Sequence, residues 1–487
     1  MKKQVTTIGL LFIFSLASII VKAQSCGVSA VYGGGPFYNN AAVTIPEIRT
    51  SGFNTVIVWT IHIDAQGNLN FNAEFPIVSN GKYIGTSKYP AFAKNMSLLK
   101  TPPTSVTRIE FGLSASGSST FSNIKTLIAS QGTGSTSMLY KNFKALKDSI
   151  PVIDALNFDD ESTYDVASSV KFAVMLAGLG YKVGLCPYTN SNYWTSVASQ
   201  TNNQSKGTVD AIYLQCYDGG AGNNPCSWNF NGLPIYPGLW DTKDSPSGVQ
   251  TKLTNWKKQC AQVQGGFMWL YDDFKGTAST KQYASAINTA IGIGAPGKAV
   301  YISPADAADN IDLTPTLSWK ADTCAQSQVV YFGTNNPPSL IGEQKQTGYS
   351  PASLKSNTTY YWRVDEKNFY GTTTGVVRSF KTGSPTGLFE NDEHSLISEV
   401  YPNPFTDEVF IDVSTVPAVQ LSISVLNLLG EEIYVICNNR ILSGKMTFNW
   451  KGTDRHNEPV AKGIYFIKIV WNEQMQPQAK YKKILFQ

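Results

Sequence analysis

The stretch Ile153-Asp154-Ala155-Leu156-Asn157-Phe158-Asp159-Asp160-Glu161 decides how the first half of this chain is read. A short apolar run ends in a cluster of carboxylates set by a two-residue period. Side chains alternate across a strand, so Leu156 and Phe158 share one face while Asn157, Asp159 and Glu161 share the other. Polar groups on the inner face of a buried strand are costly unless they serve a site. The pattern therefore predicts a strand whose far end carries chemistry.

Outward from this stretch, apolar strand patterns alternate with helical ones. Strands are predicted at 28–32, 55–63, 108–114, 155–159, 182–187, 211–216, 233–238 and 266–270, and the clearest helices at 138–150, 166–180, 249–262 and 281–291. Strands separated by crossover segments imply a parallel sheet. Eight of them over residues 24–293 predict an α/β fold, the (β/α)8 TIM barrel. A doubly wound open sheet would need a glycine-rich phosphate turn, and Gly33-Gly34-Gly35 lacks its spacing. In a barrel, active sites gather at the C-terminal strand ends. That rule brings together Asp159 and Glu161, Gln215 with Tyr217 and Asp218, Trp240 with Asp241, and Trp269 with Tyr271, Asp272 and Asp273. Trp59 on the second strand is placed toward the same cleft. His62 reads first as a satisfied structural residue.

Composition bounds the rest. A chain of 487 residues exceeds one core and predicts two to four domains. With 15% charged and 12% aromatic residues it suits extracellular α/β and all-β modules, not a coiled coil or a membrane bundle. The net charge of +4, with no basic stripe, gives no reason to expect nucleic acid as a partner. Lys2 and Lys3 precede an apolar run from Ile8 to Val21, and Val21-Lys22-Ala23 offers a cleavage site. Residues 1–23 thus read as a signal peptide, with no membrane span in the mature protein. Export permits disulfides, and seven cysteines leave at least one unpaired. Cys226 with Cys260 is the expected pair, and Cys186 and Cys216 read as packed thiols. Three histidines and no Cys/His ligand spacing predict neither a metal centre nor a cofactor.

Beyond a Gly/Pro hinge at Gly294–Gly297, residues 299–382 contain only alternating strand patterns. Leu317-Ser318-Trp319, Val330-Tyr331-Phe332-Gly333-Thr334, Tyr360-Tyr361-Trp362-Arg363-Val364 and Ser379-Phe380-Lys381-Thr382 give this segment a resemblance to a fibronectin type III sandwich. The resemblance implies a spacer. After a polar linker at 383–395, residues 396–487 resemble the C-terminal sorting domain of type IX secretion, a second all-β sandwich. The motifs are Val400-Tyr401-Pro402-Asn403-Pro404-Phe405, Ser424-Val425-Leu426-Asn427-Leu428-Leu429-Gly430, Lys462-Gly463-Ile464-Tyr465-Phe466-Ile467 and Lys482-Lys483-Ile484. This likeness implies the type IX machinery as a partner and an extracellular or cell-surface address.

Two carboxylates two residues apart on one strand face lie roughly 7 Å apart by strand rise. In a dry cleft one raises the pKa of the other, which prepares a proton donor. Glu161 is outermost and suits the acid, and Asp159 suits an orienting partner. The segment resembles the DxxDxDxE signature of glycoside hydrolase family 18, here Asp154-x-x-Asn157-x-Asp159-x-Glu161 on the fourth barrel strand. Ser114-Ala115-Ser116-Gly117, Gln215-Cys216-Tyr217-Asp218 and Trp269 agree with the same family. The resemblance implies a retaining mechanism in which the substrate's own 2-acetamido oxygen attacks C1. By position, Glu161 would protonate the leaving oxygen, Asp159 would hold the acetamido N–H, and Tyr217 would bond the acetamido oxygen. Trp269 would floor the sugar, and Asn157, Asp154, Gln215, Asp218, Trp240 and Trp59 would complete the substrate contacts. Asp-Asp-Glu at 159–161, rather than Asp-Trp-Glu, points to the endo-β-N-acetylglucosaminidase branch.

Asn157 stands where the family has an aspartate. An amide can bond Asp159 but cannot ionise, which predicts a less readily protonated Asp159 and lowered or pH-shifted activity. The expected function is therefore a secreted, monomeric glycosidase acting on β-linked N-acetylglucosamine in chitin, N-glycans or peptidoglycan. The competing class is a catalytically silent barrel that binds carbohydrate. Asn157 favours the second reading, and retention of Glu161 favours the first.

Overall fold

The computed structural model describes residues 26–114, 117–276, 278–383, 397–473 and 476–487. The signal segment expected at 1–23 and all but Gly383 of the expected linker lie outside the described residues. The chain divides into two compact units, Met1–Gly383 and Ser384–Gln487.

In the first unit, eight parallel strands close on themselves. They are Val28–Gly33 (β1), Thr55–Ile63 (β2), Arg108–Leu113 (β3), Ala155–Phe158 (β4), Lys182–Leu185 (β5), Val209–Gln215 (β6), Ile235–Trp240 (β7) and Gly265–Trp269 (β8). Each pairs with its successor, and β8 returns to β1 with Gly265 beside Val28 and Met268 beside Val31. The alternation read from β4 is real: Leu156 and Phe158 are fully buried against the outer helices. Phe158 stacks on Phe172 of helix Val166–Gly178 at 5.5 Å. Inside the barrel the filling is aromatic, with Tyr32, Tyr213, Tyr236 and Phe267 in one cluster. Gly238 makes room for it, since a Cβ there would lie 2.0 Å from the Phe267 ring.

Two features depart from a strict (β/α)8 pattern. The crossover between β6 and β7 has no α-helix, only the 3-10 turns Asp218–Gly220 and Pro225–Ser227. Its glycines, asparagines and prolines are poor helix formers, and the Cys226–Cys260 disulfide ties it to the end of helix Pro246–Gln259. After β2, an antiparallel flap of Leu69–Phe71, Phe75–Ser79 and Lys82–Tyr83 extends the sheet. Phe71 and Phe75 bury it against Tyr38 and Phe92.

The rest of this unit is a two-sheet sandwich. One sheet orders Val300–Ser303, Leu317–Lys320 and Gly348–Tyr349, and the other runs Ala308–Ile311, Arg378–Thr382, Thr359–Asn368, Ser327–Gly333, Leu340–Gln344. Leu317, Trp319, Val330, Trp362, Val364 and Phe380 form its core. A second disulfide, Cys26–Cys324, joins it to the residue just before β1. The Tyr370 hydroxyl donates to the Gly52 carbonyl at 2.8 Å, and the Asn368 amide to Gly294 at 2.9 Å. These contacts seat the sandwich at the N-terminal end of the barrel strands, away from their C-terminal rim.

In the second unit the described strands pair antiparallel: Ile397–Tyr401, Val409–Leu426, Glu432–Trp450, Gly463–Glu473 and Gln476–Phe486. Two separate sheets were expected here, and the hydrogen bonds form one. Strands of 18 and 19 residues shift register between Thr415 and Val419 and between Leu421 and Ile423. Such bulges bend a strand, so one strand serves both halves of the core around Val413, Ile423 and Ile467.

Candidate active site

The C-terminal rim holds an open cleft of about 450 Å³ whose lining includes Asp159, Glu161, Gln215, Tyr217, Asp218, Trp59 and Trp269. Asp159 is 7% exposed, and its Oδ1 accepts one bond at 3.1 Å from the Gln215 amide. Burial, then the charges of Glu161 and Asp160, push its pKa well above the usual carboxylate range. Glu161 is half-buried, and burial, then Asp218 and Asp160, raise its pKa as well. The cleft thus holds two carboxyl groups whose pKa values are both raised, with the outer one open to solvent.

The loop behind them is tightly held. The Asp160 carboxylate accepts the backbone N–H groups of Ser162, Thr163 and Tyr164 at 2.8–3.2 Å, and the Tyr193 hydroxyl at 3.0 Å. The next helix, Val166–Gly178, is capped by Asp165, which accepts the Ser168 N–H at 2.9 Å.

Aromatic rings wall the cleft. Tyr217 stacks on Trp269 with centroids 6.3 Å apart, and Trp59 stands perpendicular to Trp269 at 5.3 Å. Flat apolar faces of this kind suit the apolar face of a pyranose. Trp240, expected in the cleft, is not among the residues that line it; its ring lies beside Tyr217, with centroids 6.4 Å apart. His62 pairs with Ser118 at 3.2 Å outside the cleft lining. Asp241 and Asp272 fasten loops, accepting the N–H groups of Leu270 and Gly34.

Asp154 and Asn157 need correction as substrate contacts. Asp154 precedes β4 at the opposite end of the barrel, where its carboxylate accepts the Ile109 N–H and the Lys100 ammonium. A four-residue strand separates it from the rim. Asn157 is fully buried beneath the cleft. Its amide donates to Glu110 Oε2 at 2.9 Å, and its oxygen accepts the Tyr32 hydroxyl at 3.0 Å. It therefore does not bond Asp159. Around Asp159 itself, burial and the like charges of Glu161 and Asp160 favour the protonated form.

Sequence reasoning missed Tyr32, Cys186 and Tyr188 in the lining, and Glu110 with Arg108 below it. Tyr32 shares the inner face of β1 with Ala30, a two-residue signal available in the sequence. Arg108 and Glu110 repeat that signal on β3, where two charges on one face of a buried strand mark an internal pair.

The raised pKa of Asp159 has a stability consequence. Its folded form holds a proton more tightly than the unfolded chain, so its contribution is full below the unfolded pKa of about 3.9 and fades as pH rises through the folded value. Asp159→Asn, which can still accept from Gln215, should raise the melting temperature at pH 8 and lose that gain near pH 4. Equal melting of both proteins at pH 8 would contradict the assignment.

No curated protein sequence matches this chain. Among solved structures, it is similar to a chitinase from Bacteroides thetaiotaomicron at 11% identity, over 55% of this chain and 97% of that chain, with a TM-score of 0.37. The spore cortex-lytic enzyme SleL of Bacillus cereus is 10% identical over 54% of this chain and 74% of its own, at 0.36. Dimeric latent PorU from Porphyromonas gingivalis is 12% identical over 40% of this chain, at 0.18, and the match spans only 20% of that chain. Residues 399–485 match the family model described as a secretion system C-terminal sorting domain.

Proposed function

We propose that the barrel is a family 18-type glycosidase, exported by the type IX route, that cleaves β-linked N-acetylglucosamine by substrate-assisted retention. The observation that carries this reading is the placement of Asp159 and Glu161 together in a single cleft walled by Tyr217 and Trp269, where burial and neighbouring charges raise the pKa of each. Glu161 protonates the leaving oxygen and later takes a proton from water. Asp159 holds the acetamido N–H while the acetamido oxygen closes on C1, and Tyr217 donates to that oxygen as charge develops. A protein that binds N-acetylglucosamine oligomers yet releases no reducing ends from chitin, high-mannose glycan or muropeptide panels is instead a binding module.

The acid role fixes a pH signature. Glu161 works only while protonated, so kcat/KM should fall as pH rises through its raised pKa, above the ordinary glutamate value of about 4.3. The Asp218 charge helps hold that value up. Asp218→Asn should therefore move the basic limb to lower pH. A limb that stays in place would remove Asp218 from the electrostatics of the acid.

A further inference from the structure

A continuous polar column runs beneath the cleft. Asp210 accepts both Nη groups of Arg108 at 2.7 and 2.8 Å, and Arg108 Nε donates to Glu110 Oε1 at 2.5 Å. The Tyr213 hydroxyl donates to the same oxygen at 2.6 Å. Glu110 Oε2 takes the Asn157 amide N–H, and Asn157 Oδ1 takes the Tyr32 hydroxyl. Tyr32 also lies 3.2 Å from Cys186 Sγ, in the cleft lining itself. Glu110 and Asn157 are both fully buried. Gly184 lets them meet, since a Cβ there would lie 2.6 Å from Glu110 Oε2 and 2.8 Å from Asn157 Nδ2.

Donor and acceptor chemistry leaves one orientation for Asn157. An ionised carboxylate only accepts, so the amide nitrogen must face Glu110 and the oxygen must face Tyr32. The Tyr32 hydroxyl has two acceptors in reach, the Asn157 oxygen and Cys186 Sγ, and the amide oxygen is the stronger, so the proton goes to Asn157 and is withheld from the cleft. We propose that Glu110 is a positioning residue: by fixing the Asn157 amide it turns the Tyr32 hydroxyl away from the cleft, leaving Gln215 as the amide that bonds Asp159. The carboxylate missing at position 157 thus stands one strand over, on β3, paired with an arginine.

This inference rests on the proposed role of Asp159, but its readout does not require turnover. The groups facing Asp159 are Glu161 and Asp160 from its own segment, Tyr32 on β1, Cys186 after β5, and Gln215 with Tyr217 at the end of β6. In Glu110→Gln the new amide keeps its oxygen toward Arg108 and Tyr213 and turns its nitrogen to Asn157. Asn157 must then flip, and the Tyr32 proton is freed to point into the cleft. Loss of the Glu110 charge acts in the same direction. The Asp159 carboxyl, followed by isotope-edited infrared or carbon NMR titration of the whole protein, should titrate roughly one pH unit lower than in wild type. Asn157→Leu should give a shift of the same sign, and it carries the test if Glu110→Gln does not fold. Tyr213→Phe, which leaves the Asn157 amide pinned, should leave the midpoint in place. An unmoved midpoint in folded Glu110→Gln or Asn157→Leu overturns the inference. A shift in a protein that cleaves no glycan upholds the inference and removes the glycosidase reading alone.

Discussion

Exchanging Glu161 for glutamine should lower kcat/KM on an N-acetylglucosamine oligomer about a thousandfold or more. The half-buried carboxyl is replaced by a group of the same shape that can neither give nor take a proton. Both halves of a retaining reaction suffer, because the same group serves as acid and then as base. The two halves can be separated. An aryl glycoside with a good leaving group needs little protonation, so it should lose less in its first step than a sugar leaving group does. Binding should persist, since the aromatic wall of Trp59, Tyr217 and Trp269 is untouched. Calorimetry with a chito-oligosaccharide should give a dissociation constant within a few-fold of wild type. Turnover unchanged in this variant would move the acid elsewhere in the cleft.

Replacing Arg108 by methionine should destabilise the barrel by about 3–5 kcal/mol, the usual cost of leaving a buried charge without its partner. The arginine is 21% exposed and its Glu110 partner not at all, so solvent can reach one end of the pair but not the other. Glu110 would retain only the neutral donors Tyr213 and Asn157. Asp210, 30% exposed, loses less. Lysine should rescue only part of the loss, because a point charge cannot bond Glu110 and span Asp210 as the guanidinium fork does. Arg108→Met with Glu110→Met should recover much of it, since the only charge then left without its partner is Asp210, which is 30% exposed, and none is stranded in the interior. Denaturant unfolding of the three variants checks the ranking. Equal stability of Arg108→Met and wild type would mean that the pair is not an energetic unit.

The barrel was legible because its strands announce themselves twice, by apolar alternation and by the helical patterns between them. Leu156 and Phe158 faced outward as the two-residue period required, and Asp159 and Glu161 reached the rim. The missing sixth helix was less legible, because a Gly/Asn/Pro segment reads equally as a long loop or a weak helix. Asp154 misled for a different reason: a motif keeps its spacing whether or not every member reaches the site, and a strand spanning the barrel separates its ends. Asn157 was read as a lost charge because Glu110, 47 residues earlier in the chain, becomes its neighbour only when β3 and β4 pair. Trp240 pointed at the cleft by rank along its strand, but of this ring pair only Tyr217 lines the cleft. The Cys226–Cys260 bridge was expected. Cys26–Cys324 was not, since it spans a docking that no local pattern encodes.

That second bridge matters most outside the cell. It joins residues 298 positions apart, so nearly the whole barrel and the start of the sandwich lie within one covalent ring. A protease that cuts a surface loop anywhere inside the ring opens it into a line but releases no fragment. The packed strands hold the cut ends in place, and the nicked molecule keeps every residue of its cleft. For a protein carrying a sorting domain for export, damage tolerance is built into the connectivity, independently of how stable the fold is.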